Sequence, residues 1–461
     1  MTGRKFHQPQ RSMSRNQFHG SVLIVVLWAS LGLVSVALLF GHSMLMVYRG
    51  SDNDLAGRQA EQAIEGAARY AESLLANATI PGALPNELDY ESEAVPVGEA
   101  TFWFLGRSLE TTDGKTRAFG LVDEASKLNL NSPAVDANML MNLPGMTNDL
   151  AAAIVEWRTS AGAPPSTDSV SKQAAFESVE ELALVQGATR EILYGEDANM
   201  NGVLDPNEDD SSTNLPDDNG DGKLDPGILE YLTVFSRESN KQKDNQTTRV
   251  NINTGASELV TLLTSAFPTK SAADIQQIAA TASEPDSDSL LGFYVNSGLT
   301  EDEFGQIAYE LTTTAQQGIP PPPQPPDFII GLVNVNTASE KVLSILFNDP
   351  KLAAAIVSAR LSRTQPDANY AWVAEPLNIK RGTPIPPALK PALNLLTGKT
   401  SQVTADVAAV GRHGRGWRRT KMVIDNSTGT PRIVYRRNLA PLGWALGSDI
   451  RAELAQQKET R

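Results

Sequence analysis

The chain has 461 residues, 41% of them hydrophobic, and a formal net charge of −15, enough for two or three domains with a sizeable core. The acidic balance opposes non-specific nucleic-acid binding over the whole surface. With no cysteine present, disulfides and Cys-ligated zinc are excluded, so any staple must have another chemistry.

In chain order, Arg4, Lys5, Arg11 and Arg15 precede an uncharged run from Ser21 to Phe40. As a helix that run rises about 30 Å, the thickness of a bilayer core. Basic residues before it, with Arg49, Asp52 and Asp54 after it, place residues 1–20 in the cytoplasm and the bulk of the chain outside. A cleavable secretory signal would have a shorter apolar region and an A-x-A-like exit. The run therefore reads as a retained anchor over 21–40. Leu55, Ala56, Ala60, Ala63, Ile64, Ala67, Ala68, Ala71, Leu74 and Leu75 continue the helical spacing, predicting one helix over 21–79 that stops near Pro81-Gly82. Its outer part, 51–77, has more apolar positions than a free helix shows to water.

Strand-like pieces follow at Thr101–Leu105 and Arg117–Val122, around the turn signal Asp113-Gly114, within a segment 80–127. Residues 128–395 read as mostly helical, interrupted by IPPPPQPP at 319–326, a polyproline II spacer. Strands return over 396–461: Val403–Val410, then Lys421–Asp425 and Arg432–Arg436 as a hairpin around Asn426–Pro431.

LNLNS (128–132), VNINT (250–254) and VNVNT (333–337) form an internal repeat, too unevenly spaced for a solenoid. The closing Ser or Thr of each is placed to cap a following helix, and Thr337 with Glu340 makes a capping box. After the first copy, MLMNLPGMTNDLAAAIVEWR reads as a helix-hairpin-helix about Leu143-Pro144-Gly145-Met146; the third copy keeps the helices without the glycine. Such hairpins hold DNA phosphates through backbone N–H groups and nearby Lys or Arg. Across 128–158 only Arg158 is basic, against Asp136, Asp149 and Glu156, and Thr147 replaces a second hairpin glycine. The unit reads as packing.

DANMNGVLDPNE (197–208) is the most specific motif. Asp197, Asn199 and Asn201 occupy calcium-loop positions one, three and five, and Gly202 makes the turn at six. Val203 offers a carbonyl at seven, Asp205 stands at nine, and Glu208 at twelve can bind bidentately. DDNGDGKLD (217–225) is a weaker copy, with Asp217, Asn219, Asp221, Gly222, Lys223 (by its carbonyl) and Asp225 in step. Its twelfth position is Ile228, so the bidentate carboxylate is missing. Hard oxygen ligands fit Ca²⁺, and the crowded acids of 195–230 would repel one another without a cation. Two structural Ca²⁺ ions over 197–228 are expected. DDSSTNLPDD follows the first loop where a paired sensor hand would have a helix.

For enzyme chemistry the residues are lacking. His7, His19 and His42 belong to the leader and anchor, leaving His413 alone outside. No Ser-His-Asp or Cys-His set can be assembled, and no Gly-rich phosphate loop follows a strand. A basic group does stand at 412–437: Arg412, Arg415, Arg418, Arg419, Lys421, Arg432, Arg436 and Arg437 against Asp425. It reads as the solvated face of a hairpin, or as the basic face that a membrane-anchored DNA receptor would need. A calcium-dependent adhesion module would instead predict an exposed repeat array.

HGSVLIVVLW (19–28), FGLVDEASKLNLNS (119–132) and the tandem acidic loops together resemble the type II secretion system minor pseudopilin K over nearly the whole chain. The resemblance implies an α+β fold: a pilin-like N-terminal helix on a small antiparallel sheet, with a large, mostly helical insertion carrying helix-hairpin-helix units and calcium loops. It implies prepilin-peptidase cleavage between Gly20 and Ser21, with methylation, and a single-pass inner-membrane protein whose C-terminal domain is periplasmic. Most pilins carry Glu at the fifth mature position, where it meets the terminal amine of the neighbour towards the tip; this chain has Val25. A mid-bilayer carboxylate costs about 2.5–3.5 kcal/mol on insertion scales, so a subunit with nobody above it gains by losing the charge. The implied partners are the I- and J-type minor pseudopilins and the pseudopilus, contacted partly through helix 51–77, with no nucleic acid and no small-molecule substrate.

Overall fold

The computed structural model describes residues 19–108, 114–159, 171–211, 213, 215–244, 246–313, 328–363 and 368–456. The leader through Phe18 and the proline run 319–326 lie outside them. The chain forms two compact units, Met1–Leu55 and Ala56–Arg461.

Helix α1 runs from His19 to Ala76 without a break. In the first unit, Val22–Phe40 are exposed throughout, and the helix is long and apolar enough to cross a membrane. In the second unit the same helix changes character. Ala56, Ala60, Ala63, Ile64, Ala67, Ala68, Ala71 and Leu75 are buried, a stripe of small side chains that lets the helix lie close to a sheet. Phe102, Phe104, Val403, Val407, Met422 and Ile424 face it from that sheet. Of the ten apolar positions in the pattern, only Leu55 and Leu74 are not buried. The surplus apolar stripe expected over 51–77 is thus taken up by the chain's own sheet. Arg58, Glu61, Gln62 and Arg69 are exposed on the outer face.

That sheet has six antiparallel strands: β1 (Val95–Val97), β2 (Ala100–Phe104), β3 (Val122–Asp123), β4 (Gln402–Val410), β5 (Arg418–Asp425) and β6 (Arg432–Asn438). Their order is β1-β2-β4-β5-β6, with β3 also paired to β4. β2 and β4 are adjacent although the whole insertion separates them in sequence. Strands at both ends of the chain therefore complete one layer. All of β4 is buried, because α1 covers one face while Trp103, Ala408, Val410, Ala445 and Leu446 pack on the other. The strand expected at Arg117–Val122 is not regular: Phe119 bridges Leu105, and only Val122 continues into β3. The backbone at Gly106 and Gly120 comes so close that a Cβ on Gly106 would sit 2.9 Å from the Gly120 nitrogen.

The insertion is built from three similar units. Leu128–Asn129, Val250–Asn251 and Val333–Asn334 pair in parallel with Leu232–Thr233, Leu311–Thr312 and Leu396–Thr397 respectively. In each unit the first Asn of the repeat turns the chain by accepting from the N–H two residues on, at Asn131, Asn253 and Asn336 (2.8–3.0 Å). The helix caps differ from expectation. They are Asp136, Gly255 and Ser339, not Ser132, Thr254 and Thr337. The Thr337 hydroxyl goes instead to Asp123 at 2.7 Å, so no box with Glu340 forms.

In the first unit, helices Ala137–Leu140 and Asn148–Arg158 flank Gly145, which has φ 61°. Thr147 caps the second helix through Leu150 N–H, which explains why no second glycine stands there. In the third unit Asn348 takes the left-handed turn at φ 50° and Asp349 caps the next helix. Arg158 and Arg360 fold back equivalently: each donates to the carbonyl of the second apolar residue of its repeat, Leu130 and Val335. Arg158 is 2% exposed. It is committed inward and closes its own turn.

Candidate functional site

The acidic loops are positioned by the short helix Arg190–Tyr194, which ends at Gly195 with φ 60°. A Cβ there would lie 2.3 Å from the Asp225 carbonyl, so the start of the first loop and the end of the second are held together only because residue 195 is glycine.

Within the first loop the carboxylates and amides organise the backbone. Asp197 accepts from the N–H groups of Asn201 and Gly202, both at 2.9 Å. The Oδ1 atoms of Asn199 and Asn201 accept from Asn201 and Val203 N–H. Both amide nitrogens point to Asp205 Oδ2, at 2.7 and 3.0 Å. Glu208, 1% exposed, closes the loop by accepting from Ala198 and Asp205 N–H at 3.0 and 3.1 Å. Gly202 has φ 72°, the conformation position six requires.

The second loop repeats part of this pattern, from position three onward. Asn219 accepts from Asp221 N–H and donates to Asp225, and Asp221 accepts from Lys223 N–H, all within 2.8–2.9 Å. Its missing twelfth carboxylate is supplied from elsewhere. Ile228 is fully buried in the core, while Glu196 accepts from Asn219 N–H at 3.2 Å and from Asp225 N–H at 2.8 Å. Glu208 plays the matching part across the first loop. The sequence reading missed Glu196 because it precedes both loops; its only signal was an acid abutting Asp197.

Burial and mutual repulsion mark these acids. Burial, with Asp197 and Asp205 nearby, pushes the Glu208 carboxyl up to about 8. Asp197 and Glu196 are also raised, chiefly by burial. Among the described residues, no three His, Cys, Asp or Glu side chains form a ready metal cluster. The side chains of the loops are carboxylates and Asn amides, whose oxygens suit a hard cation rather than zinc.

Two arginines fasten the first loop to the sheet. Arg419 on β5 donates to the Asn199 and Met200 carbonyls at 2.5 and 2.7 Å, and to Asp406 on β4 at 2.6 and 3.0 Å. Arg107 donates to the Met200 carbonyl at 3.1 Å and to Glu230 at 2.8 Å. Asn201 adds a bond to the Ala445 carbonyl at 2.9 Å.

The basic group of 412–437 lies on a hairpin whose last strand is mostly exposed, and its arginines meet carboxylates there. Arg418 pairs with Glu61, Arg419 with Asp406, Arg432 with Asp425, Arg436 with Glu65 and Arg437 with Glu180. Lys421 is half-buried near Glu124 and Glu180. At the other end of the chain, Gly20 and Ser21 lie in the first turns of α1, and Val25 is 67% exposed on it.

No family model and no curated protein matches the chain. Among solved structures, the chain is similar in part to the GspK–GspI–GspJ complex of the type 2 secretion system from enterotoxigenic Escherichia coli, at 10% identity over 44% of this chain and 78% of that one, with a TM-score of 0.18.

Proposed function

We propose that this chain is a non-enzymatic minor pseudopilin of the K type, at the tip of a type II secretion pseudopilus that exports folded proteins from the periplasm across the outer membrane. The observation that carries the reading is α1: one helix whose first part is apolar and exposed, and whose second part is the core of an antiparallel sheet built from both ends of the chain. Cleavage at Gly20–Ser21, methylation, a cytoplasmic leader and a periplasmic C-terminal unit belong to this reading, as do I- and J-type partners. Val25 and the bulky insertion both suit a subunit with none above it. The DNA-receptor alternative needs a basic face, and the engagement of the arginines with carboxylates weighs against it. Sequencing the mature N-terminus of the membrane-extracted chain tests the reading first: it should begin at Ser21, and a Gly20→Leu variant should keep its leader. Deletion of the protein should then abolish export. Normal export together with salt-sensitive DNA binding by the full-length chain would establish the receptor instead.

We further propose that each acidic loop holds one structural Ca²⁺: Asp197, Asn199, Asn201, the Val203 carbonyl, Asp205 and Glu208 in the first, and Asp217, Asn219, Asp221, the Lys223 carbonyl, Asp225 and Glu196 in the second. The repetition of one hydrogen-bond pattern in both loops supports this, as does the burial of Asp197 and Glu208. A cation that binds only the folded form stabilises it by about 2.7 kcal/mol at a hundred times its Kd. Chelation should therefore lower Tm, and Glu208→Ala should reproduce much of the fall. Superimposable melts with and without chelator exclude the sites.

A further inference from the structure

A cleft of about 680 Å³ opens where the end of α1 meets the β5–β6 turn and the second and third insertion units. Its charged lining is unbalanced, with Lys243, Arg249 and Lys399 against Asp302. Lys399 is the unusual member. Its side chain is 9% exposed, and its ammonium lies 4.0 Å from Glu238 Oε2, beyond hydrogen-bond reach. The ammonium otherwise sits 3.9 Å over the Tyr309 ring. Glu238 is already engaged, by Arg249 at 3.0 Å and by the Thr397 hydroxyl. An ammonium carries three donors, and burying one without acceptors is costly. Burial, reinforced by Arg249, holds the Lys399 pKa well below the ordinary lysine range.

On the same cleft, Asn426 gives its amide N–H to the Leu75 carbonyl at 3.3 Å, while its Oδ1 is buried and accepts nothing. A buried amine with no acceptor at hydrogen-bond distance and an amide oxygen with no donor thus line one cavity. An inorganic anion would satisfy only the first. A carboxylate next to an amide N–H would satisfy both, and that pair is what the C-terminal end of a peptide presents. Leu75, Ile80 and Pro81 supply an apolar wall for its last side chain. The volume lies within the range of ligand pockets, and capture of chain termini by fixed polar groups is an established recognition mode.

We propose that this cleft binds a peptide C-terminus, its carboxylate on Lys399, its last backbone N–H on Asn426 Oδ1 and its side chain against the apolar wall. The probes are N-acetyl-Ala-Ala as the free acid, the same peptide as its C-terminal amide, and acetate. They are titrated calorimetrically into the full-length chain in detergent. The acid should bind, the amide at least tenfold more weakly, and acetate more weakly than the acid. Lys399→Met should abolish binding, with Tm read in parallel to show that the fold persists. Asn426→Leu, similar in size but without an acceptor, should weaken the acid at least tenfold and serves as the second test should the methionine variant not fold. Binding should also take up a proton, seen as a dependence of the heat on buffer. Equal affinity for acid and amide overturns the proposal, as does equal affinity for acid and acetate. No binding, or binding unchanged in both variants, also overturns it.

Discussion

Asp123 shows how a single buried carboxylate joins the parts of this molecule. It ends β3 and accepts from Asn334 Nδ2 (2.8 Å), the Thr337 hydroxyl (2.7 Å) and the Thr400 hydroxyl (2.7 Å), tying the sheet to the third insertion unit. Burial outweighs these donors and lifts its carboxyl from 3.8 to about 6. Between those values the folded protein holds a proton that the unfolded chain has released, so stability falls as pH rises through this window. By linkage the charged form costs about 3 kcal/mol above pH 6. Asp123→Asn should therefore flatten the rise in Tm between pH 7 and pH 4. Parallel Tm–pH curves for the two proteins would refute the assignment. Glu196 is testable at the same scale. If it completes the second loop, Glu196→Gln should lower calcium stoichiometry or affinity, measured by titration, without altering the first loop. Position-by-position spacing made the first loop legible in the sequence, whereas Glu196 acts across a fold and no spacing rule reaches it.

At the scale of elements, local patterns were legible where the contacts are local. The α1 periodicity, the β5–β6 hairpin and the two-helix units all stand where the residues place them. The caps were misassigned for a physical reason. Ser132, Thr254 and Thr337 sit where a helix could begin, but the Asn three residues earlier in each repeat first turns the chain through its own side chain. The Leu-Thr half of each unit escaped notice because two residues pairing across a long gap leave no periodicity. Thr147 is a true cap, and Thr147→Ala should destabilise by about 1 kcal/mol, measured by denaturant unfolding. The outward face of α1 carries a different prediction. Since its apolar positions are consumed by the sheet, a partner docking there meets Arg58, Glu61 and Arg69, and affinity should be salt-dependent. Arg58→Glu with Arg69→Glu should weaken co-purification with the I- and J-type subunits while leaving Tm within about 0.5 kcal/mol equivalent of the parent. An unchanged complex would move the interface to another face.

For the whole molecule, the question is whether the insertion is an appendage or part of one cooperative structure. The chain leaves the sheet after β3 and re-enters it at β4, and the first acidic loop reaches back to β5 through Arg419. That residue is fully buried, and its partner Asp406 is 5% exposed. Removing one member of such a pair strands the other charge and costs about 3–5 kcal/mol. The loop also touches the Ala445 carbonyl, beside Trp444, which packs edge-on against Trp103 on β2. Distortion of the loop therefore has a short mechanical path to the sheet and to two tryptophans. If the loops hold calcium, chelation should shift tryptophan emission as well as Tm, and unfolding should remain one transition by fluorescence and by far-ultraviolet circular dichroism. Arg419→Lys keeps a charge for Asp406 but cannot reach both loop carbonyls in the fork that guanidinium provides. It should lower Tm in calcium and shrink the additional fall on chelation, because the loop no longer transmits its state to β5. Two separate transitions in the parent, with only the first responding to chelator, would show instead that the insertion melts on its own.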